Sequence, residues 1–414
     1  MEKIVNVNGR DYRWPRKTLI VICIDGSEPD YIEKAVQEGV MPFTEKMIRE
    51  GADLRVNCVI PSFTNPNNIS IITGCPPSVH GISGNFFYDS RTGTEVMMND
   101  PKFLRVPTIL SAFEKEGAKV AIVTAKDKLR RLLGHGLNHG KSGSICVSAE
   151  KADEANFEEN GCEGLLDLTG LPLPSVYSAD LSEFVFATGV KLMQEKKPDI
   201  MYLSTTDYIQ HKFAPGTNGA NDFYKMMDDY WATLRGQGAD LILTADHGMN
   251  AKHDEAGNPD VIYLQEFFDE FLGIKKARVI LPITDPYTVH HGALGSFATV
   301  YLSSNQDINT ALMALKALDG VEMVLTRKEA CDMLELPEDR MGDIIIISDK
   351  NKVLGINAEH HDLSGLDEPL RSHGGISEQI VPLITSSPLV ETWRRQELRN
   401  FDAFHVGLNL QREI

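Results

Sequence analysis

The chain has 414 residues, 42% hydrophobic and 24% charged, with a formal net charge of −18; this describes a folded globular protein with room for one large α/β domain and a smaller one, and it excludes disorder. So acidic a balance excludes a protein that wraps a nucleic-acid backbone, and no run approaches the roughly 18 apolar residues a membrane helix needs.

In chain order, the N-terminal MEKIVNVNGRDYRWPRK lacks the apolar core of a secretory signal, so a cytoplasmic location is expected. The first continuous apolar run is TLIVICID (18–25), of the kind found in strands buried on both faces, and it ends at Asp25 before a glycine. A helix-like stretch covers 29–50. In VIPSFTNPNNISIITG, Thr64 precedes a proline-containing turn and an apolar run that reads as a helix start, and Asn85 follows in ISGNFFYD. After a helical stretch at 107–117, AKVAIVTAKDK (118–128) has strand character and ends in Lys126 and Lys128. In extended backbone these two would face one side across Asp127; the alternative is a solvated helix start shared with Arg130 and Arg131.

Two more buried-type runs, DIMYLSTTD (199–207) and DLILTAD (240–246), end in Asp207 and Asp246, with a helical stretch at 220–236 between them. His211 lies one helical turn beyond Asp207, and His247 directly follows Asp246. Residues 262–370 change character: amphipathic segments, the strand-like TVHHGALGSFATVYLSS and MGDIIIISDK predict an inserted α+β cap on a core formed by 1–261 and 371–414. His373 then appears in RSHGGI, where glycines allow close backbone approach, and HGGISEQIVPLI returns to core-like sequence. Six scattered cysteines (Cys23, Cys58, Cys75, Cys146, Cys162, Cys331) without CxxC spacing suggest neither a disulfide framework nor a thiolate metal site.

The alternation predicts an α/β fold, a doubly wound, mostly parallel sheet flanked by helices. Ligands of such sheets collect beyond the carboxyl ends of the strands, so Asp25, Asp207 and Asp246 should share one crevice. Each aspartate alone reads as a turn former or helix cap. Three such endings, two with a histidine nearby, favour the ligand chemistry of zinc or a similar divalent ion.

The pattern resembles the alkaline phosphatase superfamily in its nucleotide pyrophosphatase-like branch. That resemblance implies one metal held by Asp207, His211 and His373, and a second held by Asp25, Thr64, Asp246 and His247. Two zinc ions are expected, although iron or manganese suits similar ligands. Thr64 becomes the nucleophile, its weak hydroxyl activated by metal and by the positive end of its helix. Asn85 resembles the family's anion-binding asparagine. Taken alone, Thr64 could equally cap its helix and Asn85 could equally serve a turn.

With two divalent ions bringing roughly four positive charges against three aspartates and a threonine alkoxide, the bare site is about neutral, so a multiply charged substrate needs further cations. The segment carrying Lys126 and Lys128, with the compact cap, resembles the phosphonoacetate hydrolases, in which two lysines hold the substrate carboxylate. The implied reaction is cleavage of phosphonoacetate to acetate and phosphate through a phosphothreonine at Thr64, with His211 also beside the substrate. A carbanion leaves poorly unless its charge spreads into the carboxylate, where two ammonium groups would stabilise the enediolate.

The nearest alternative is a phosphodiesterase or nucleotide pyrophosphatase of the same branch, which would need an aromatic slot that does not stand out. A sulfatase would place Cys or Ser at position 64 in a C/S-x-P-x-R context that is absent, and a metal-binding module without turnover is a third reading. His80, His135, His139, His290, His291, His360 and His361 carry no assigned role. The expected partner is a small phosphonate, with a homodimer as the expected assembly.

Overall fold

A computed structural model describes residues 3–140, 143–287 and 291–412. Six strands of the large sheet follow in chain order: β1 (Leu19–Cys23), β2 (Ala52–Asn57), β3 (Val120–Thr124), β4 (Ile145–Ser148), β5 (Ile200–Ser204) and β6 (Asp240–Thr244). A separate sheet follows, built from β7 (Ala277–Ile280), β8 (Phe297–Leu302), β9 (Val321–Thr326) and β10 (Ile344–Ser348). The last strand, β11 (Ile380–Thr385), returns to the first sheet.

The large sheet runs β2-β11-β6-β1-β5-β3-β4. The pairs from β6 through β4 are parallel, while β11 runs antiparallel to both neighbours. This is the mostly parallel α/β architecture the sequence leads one to expect, with one reversed strand. The apolar runs are continuous because both faces are covered: Leu19, Val21 and Cys23 enter one core cluster, and Ile20 and Ile22 enter the other.

Register sets the chemistry. Cys23 pairs with Thr244 on one side and Ser204 on the other, and Ser204 pairs with Thr124. Four strands therefore end level, and the next residues of each chain, Asp25, Asp246, Asp207 and Lys126, emerge along one edge. Three helices start at this edge: α1 (Thr64–Thr73), α2 (Asp127–Leu133) and α3 (Tyr208–Lys212).

The second sheet is antiparallel in the order β7-β8-β10-β9. Its apolar cluster includes Phe297 and Ile344 to Ile347, and it also takes in Ile60 and Phe63, which precede Thr64. The packing of this sheet therefore bears directly on α1.

The stretch 29–50 is two helices, Pro29–Gln37 and Pro42–Glu50, broken where Gly39 adopts φ +73 and Pro42 starts afresh. The run TVHHGALGSFATVYLSS yields β8 only from Phe297, and its residues 288–290, His290 among them, lie outside the described residues. All six cysteines are free. Among the described residues no helix is long and apolar enough to cross a membrane.

Candidate active site

Beyond the level strand ends, Asp25, Asp207, His211, Asp246, His247 and His373 are all buried and gathered together. One ligand atom each from Asp207, His211 and His373 lies within 4.8 Å of the others, and the same holds for Asp25, Asp207 and His247. Asp207 thus belongs to both groups, standing just before α3 so that His211 Nε2 comes back to within 2.9 Å of its Oδ2. Asp246 stands at the edge of the second group, its Oδ2 3.8 Å from His247 Nε2.

The three imidazoles are held alike. Nδ1 of His211 contacts the Arg371 carbonyl at 2.7 Å, that of His247 the Gly248 carbonyl at 2.8 Å, and that of His373 the Ser62 carbonyl at 2.8 Å. A carbonyl only accepts, so each Nδ1 carries the proton and each Nε2 is turned toward the carboxylates, the orientation a metal ligand requires. Glycine makes the His373 loop fit: at Gly374, φ +120, an added Cβ would stand 2.4 Å from Cε1 of Phe63.

Electrostatics without a cation are unfavourable. Burial, together with Asp207 and Asp246, holds the Asp25 carboxyl well above the usual range, and burial raises Asp246 as well. Burial alone would lower His247, but Asp246 and Asp25 overcome it and raise the imidazole to about 10. Burial and the other two histidines hold His373 well below its ordinary value. Asp25 Oδ1 is buried without a well-formed hydrogen bond, with His247 Nε2 3.2 Å away. A pair of divalent ions fits this set, since carboxylate oxygens and outward Nε2 atoms are their donors and the orphaned oxygen would gain a partner.

A prediction follows from the sign of the His247 shift. Near neutral pH the metal-free imidazole carries the proton that a cation must displace from Nε2, so zinc binding at pH 7 should release at least about one proton and tighten as pH rises toward 10. Titration calorimetry in buffers of different ionisation enthalpy reads this directly, and equal heats in all buffers would contradict it.

Thr64 is the first residue of α1, and Phe63 holds the cap position without a side-chain bond, so the threonine is not the helix cap. Residues 65–73 are all buried, and only Thr64 opens toward the cavity, with Oγ1 3.4 Å from His247 Nε2. One turn later, Asn68 does work that the sequence reading missed. Its amide donates to Asp246 Oδ2 (2.9 Å) and to the Thr64 carbonyl (3.0 Å), while its Oδ1 accepts from Tyr202 Oη (2.7 Å) and Ser204 Oγ (3.0 Å). The four-residue spacing from Thr64 was the available signal.

Lys126 and Lys128 reach the cavity, but not by alternating along a strand. β3 ends at Thr124, Lys126 occupies the cap position of α2 in extended backbone (φ −110, ψ 137), and Lys128 lies in the first helical turn. The helix-start alternative was right about the backbone and wrong about solvent, for the Lys128 side chain is only 9% exposed. Both line one cavity with Asp25, Thr64, Asn85, Asp207, His291 and His373. Asn85 is buried and its Oδ1 accepts from the Asn65 N–H (3.3 Å), which sets Nδ2 as the donor end; Nδ2 lies at long range from the Ile283 carbonyl (3.4 Å) and Asp285 Oδ2 (3.5 Å), and Asn85 lines the cavity.

His291, unassigned from sequence, stacks 5.3 Å from His211 and lines the same cavity. His80 is structural, bonded to Ser70 Oγ and the Ile82 N–H, and His361 is likewise satisfied by Gly292 and Ile356. Asp285, Tyr287 and Glu150, also missed, surround the lysines.

A mostly parallel sheet whose carboxyl edge gathers three aspartates, three outward-facing imidazoles, a helix-start hydroxyl and two lysines defines a metal-dependent hydrolase of phosphorus-containing anions. The family is then direct: residues 19–375 match the type I phosphodiesterase / nucleotide pyrophosphatase model, and the chain belongs to that family, within the alkaline phosphatase-like superfamily. Among solved structures, it is similar to phosphonoacetate hydrolase from Sinorhizobium meliloti in complex with phosphonoformate, with 57% identity, 99% of each chain covered and a TM-score of 0.95; the same enzyme is also known in complex with phosphonoacetate. A phosphonoacetate hydrolase of Penicillium oxalicum is 62% identical over 80 residues, 19% of this chain and 97% of that one. An uncharacterized pyrophosphatase/phosphodiesterase of Schizosaccharomyces pombe is 33% identical over 96 residues, so the match spans only 22% of this chain and 19% of that protein.

Proposed function

We propose that this protein hydrolyses the carbon–phosphorus bond of phosphonoacetate, giving acetate and phosphate, with Thr64 as nucleophile at a two-zinc site. The observation that carries the reading is the placement of two ammonium groups, Lys126 and Lys128, in the cavity that also holds Thr64 and the candidate metal ligands Asp25, Asp207 and His373. A site built only for phosphate ester leaving groups has no use for a carboxylate receptor. The likeness to the Sinorhizobium meliloti enzyme, in complex with phosphonoacetate, supports it independently.

In this reading Asp207, His211 and His373 would hold one ion and Asp25, Asp246, His247 and Thr64 the other; bound there, the pair would supply Lewis acidity that polarises the phosphonyl oxygens and lowers the pKa of the Thr64 hydroxyl, whose proton passes to solvent water. Thr64 Oγ attacks phosphorus in line with the departing carbon while the Asn85 amide donates to a phosphonyl oxygen. An O–P bond forms, the C–P bond breaks, and its electron pair passes to carbon and into the carboxylate. Lys126 and Lys128 meet that enediolate charge before water protonates the carbon to acetate. Water then attacks the phosphothreonine from the side of His211 and His373, releasing phosphate and restoring the hydroxyl. Residues 262–370 act as the cap that closes over the substrate, on a core of 1–261 and 371–414, and a cytoplasmic location suits so small and charged a substrate.

The test is phosphate and acetate release from phosphonoacetate by the zinc-loaded protein, beside an aryl phosphodiester. Equimolar acetate and phosphate are expected. Cleavage of the diester alone would overturn the substrate and leave a phosphodiesterase using the same metals.

A further inference from the structure

We infer that Asp285 and Tyr287, on the cap segment that leaves β7, form the seat that positions the two lysines and matches the site to a single substrate carboxylate. This rests on the carboxylate-receptor reading above and assigns it a specificity device from the other sheet.

The segment after β7 lies against the phosphorus side of the site as well as the lysine side. The Pro282 carbonyl accepts from the Asn85 N–H at 2.8 Å, and the Ile283 carbonyl lies 3.4 Å from Asn85 Nδ2. Two residues on, Asp285 has a side chain only 9% exposed and both oxygens engaged. Oδ1 accepts from the Tyr287 N–H (2.6 Å), and Oδ2 from Lys128 Nζ (2.5 Å), with Asn85 Nδ2 at 3.5 Å. A lysine ammonium has three donors, so one spent on Asp285 leaves two for a substrate oxygen.

Tyr287 completes the seat. Lys126 Nζ lies 4.5 Å and Lys128 Nζ 5.1 Å from its ring centroid, so one aromatic ring supports both cations. The ring is locked to the helix that carries Lys128: Tyr287 Oη donates to Glu150 Oε1 at 2.5 Å, and Glu150 Oε2 accepts from the Asp127 N–H at 2.7 Å. Flexible four-carbon stems thereby acquire fixed endpoints, which a receptor for a planar carboxylate needs. Burial and the neighbouring Lys126 work against the Lys128 charge, and Asp285, with a smaller contribution from Asp207, opposes them.

Charge explains the selectivity. Lys128 is paired with Asp285, and Glu150 is taken up by the Tyr287 hydroxyl and the Asp127 N–H, whereas the described contact of Lys126 is the Tyr287 ring, so one ammonium group is left to be matched by one substrate carboxylate. A second carboxylate on the substrate would find no further ammonium group to pair with and would face the Asp285 carboxylate, which repels it.

The experiment compares wild type, Asp285→Asn and Asp285→Glu on phosphonoacetate and on an aryl phosphodiester that has no carboxylate, with phosphonosuccinate as a dicarboxylate inhibitor. Asp285→Asn should lose at least 30-fold in kcat/KM on phosphonoacetate, mostly in kcat, and at least 10-fold more than it loses on the diester. Asp285→Glu should recover at least a third of the loss on a logarithmic scale. Wild type should bind phosphonosuccinate at least 10-fold more weakly than phosphonoacetate, and Asp285→Asn should narrow that gap. Equal losses on both substrates, no loss on either, or an unchanged gap would overturn the inference. A wild type inactive on phosphonoacetate overturns the proposed reaction first and this device with it, whereas an active wild type with a carboxylate-blind Asp285→Asn overturns this device alone.

Discussion

Thr64→Ala is expected to lower phosphonoacetate turnover by about 10⁴-fold, because removing the nucleophile of a covalent route leaves only what binding and electrostatics give to direct attack by water. The loss should be chemical, not structural. Thr64 is the one residue of α1 that is not buried, its hydroxyl has the 3.4 Å approach to His247 Nε2 as its described contact, and Phe63 holds the cap position. The backbone carbonyl that Asn68 needs is kept in alanine. Zinc content should therefore stay near wild type, since six side chains other than Thr64 supply the ligand set. Ser62, two residues away, is not placed to take over, being buried with Oγ bonded to the Gly375 carbonyl. Phosphate release and metal analysis of the same preparation make the measurement. Retention of more than a few percent of activity at normal zinc content would falsify the nucleophile role.

Legibility from sequence followed the reach of each physical signal. β1, β5 and β6 were readable because strands covered on both faces must be apolar throughout, and the aspartates were readable because each is the first charged residue after such a run. What register added was that Cys23, Ser204 and Thr244 stand level, which turns three separate endings into one edge. The reversed direction of β11 was not readable, because IVPLIT is as apolar as a parallel strand would be. Lys126 and Lys128 were found for a partly mistaken reason: a two-residue spacing shares a face in extended chain, yet here a cap position and a first helical turn bring both to the cavity. Asp285, Tyr287 and Glu150 were invisible because their meaning depends on a cap segment crossing to the edge of the main sheet, a contact between residues more than a hundred positions apart that no local periodicity encodes.

Lys126→Ala and Lys128→Ala are expected to cost about 10² to 10³-fold each on phosphonoacetate and less than about 5-fold on an aryl phosphodiester, since preorganised charge on a developing anion is worth several kcal/mol and the diester develops none there. The two variants should differ in stability. Lys128 is the ion partner of buried Asp285, so its removal strands a carboxylate, a loss of roughly 3–5 kcal/mol for a buried pair broken on one side. Lys126 rests on the Tyr287 ring, and its removal leaves no carboxylate without its partner among the contacts described. Lys126→Ala is therefore the cleaner chemical probe, with a melting temperature near wild type, whereas Lys128→Ala should melt lower and be rescued in stability, but not in phosphonoacetate turnover, by adding Asp285→Asn. If instead both variants lose the two activities in parallel, the lysines serve the architecture of the edge and not the carboxylate, and the metals and Thr64 would be left to act on a phosphate ester.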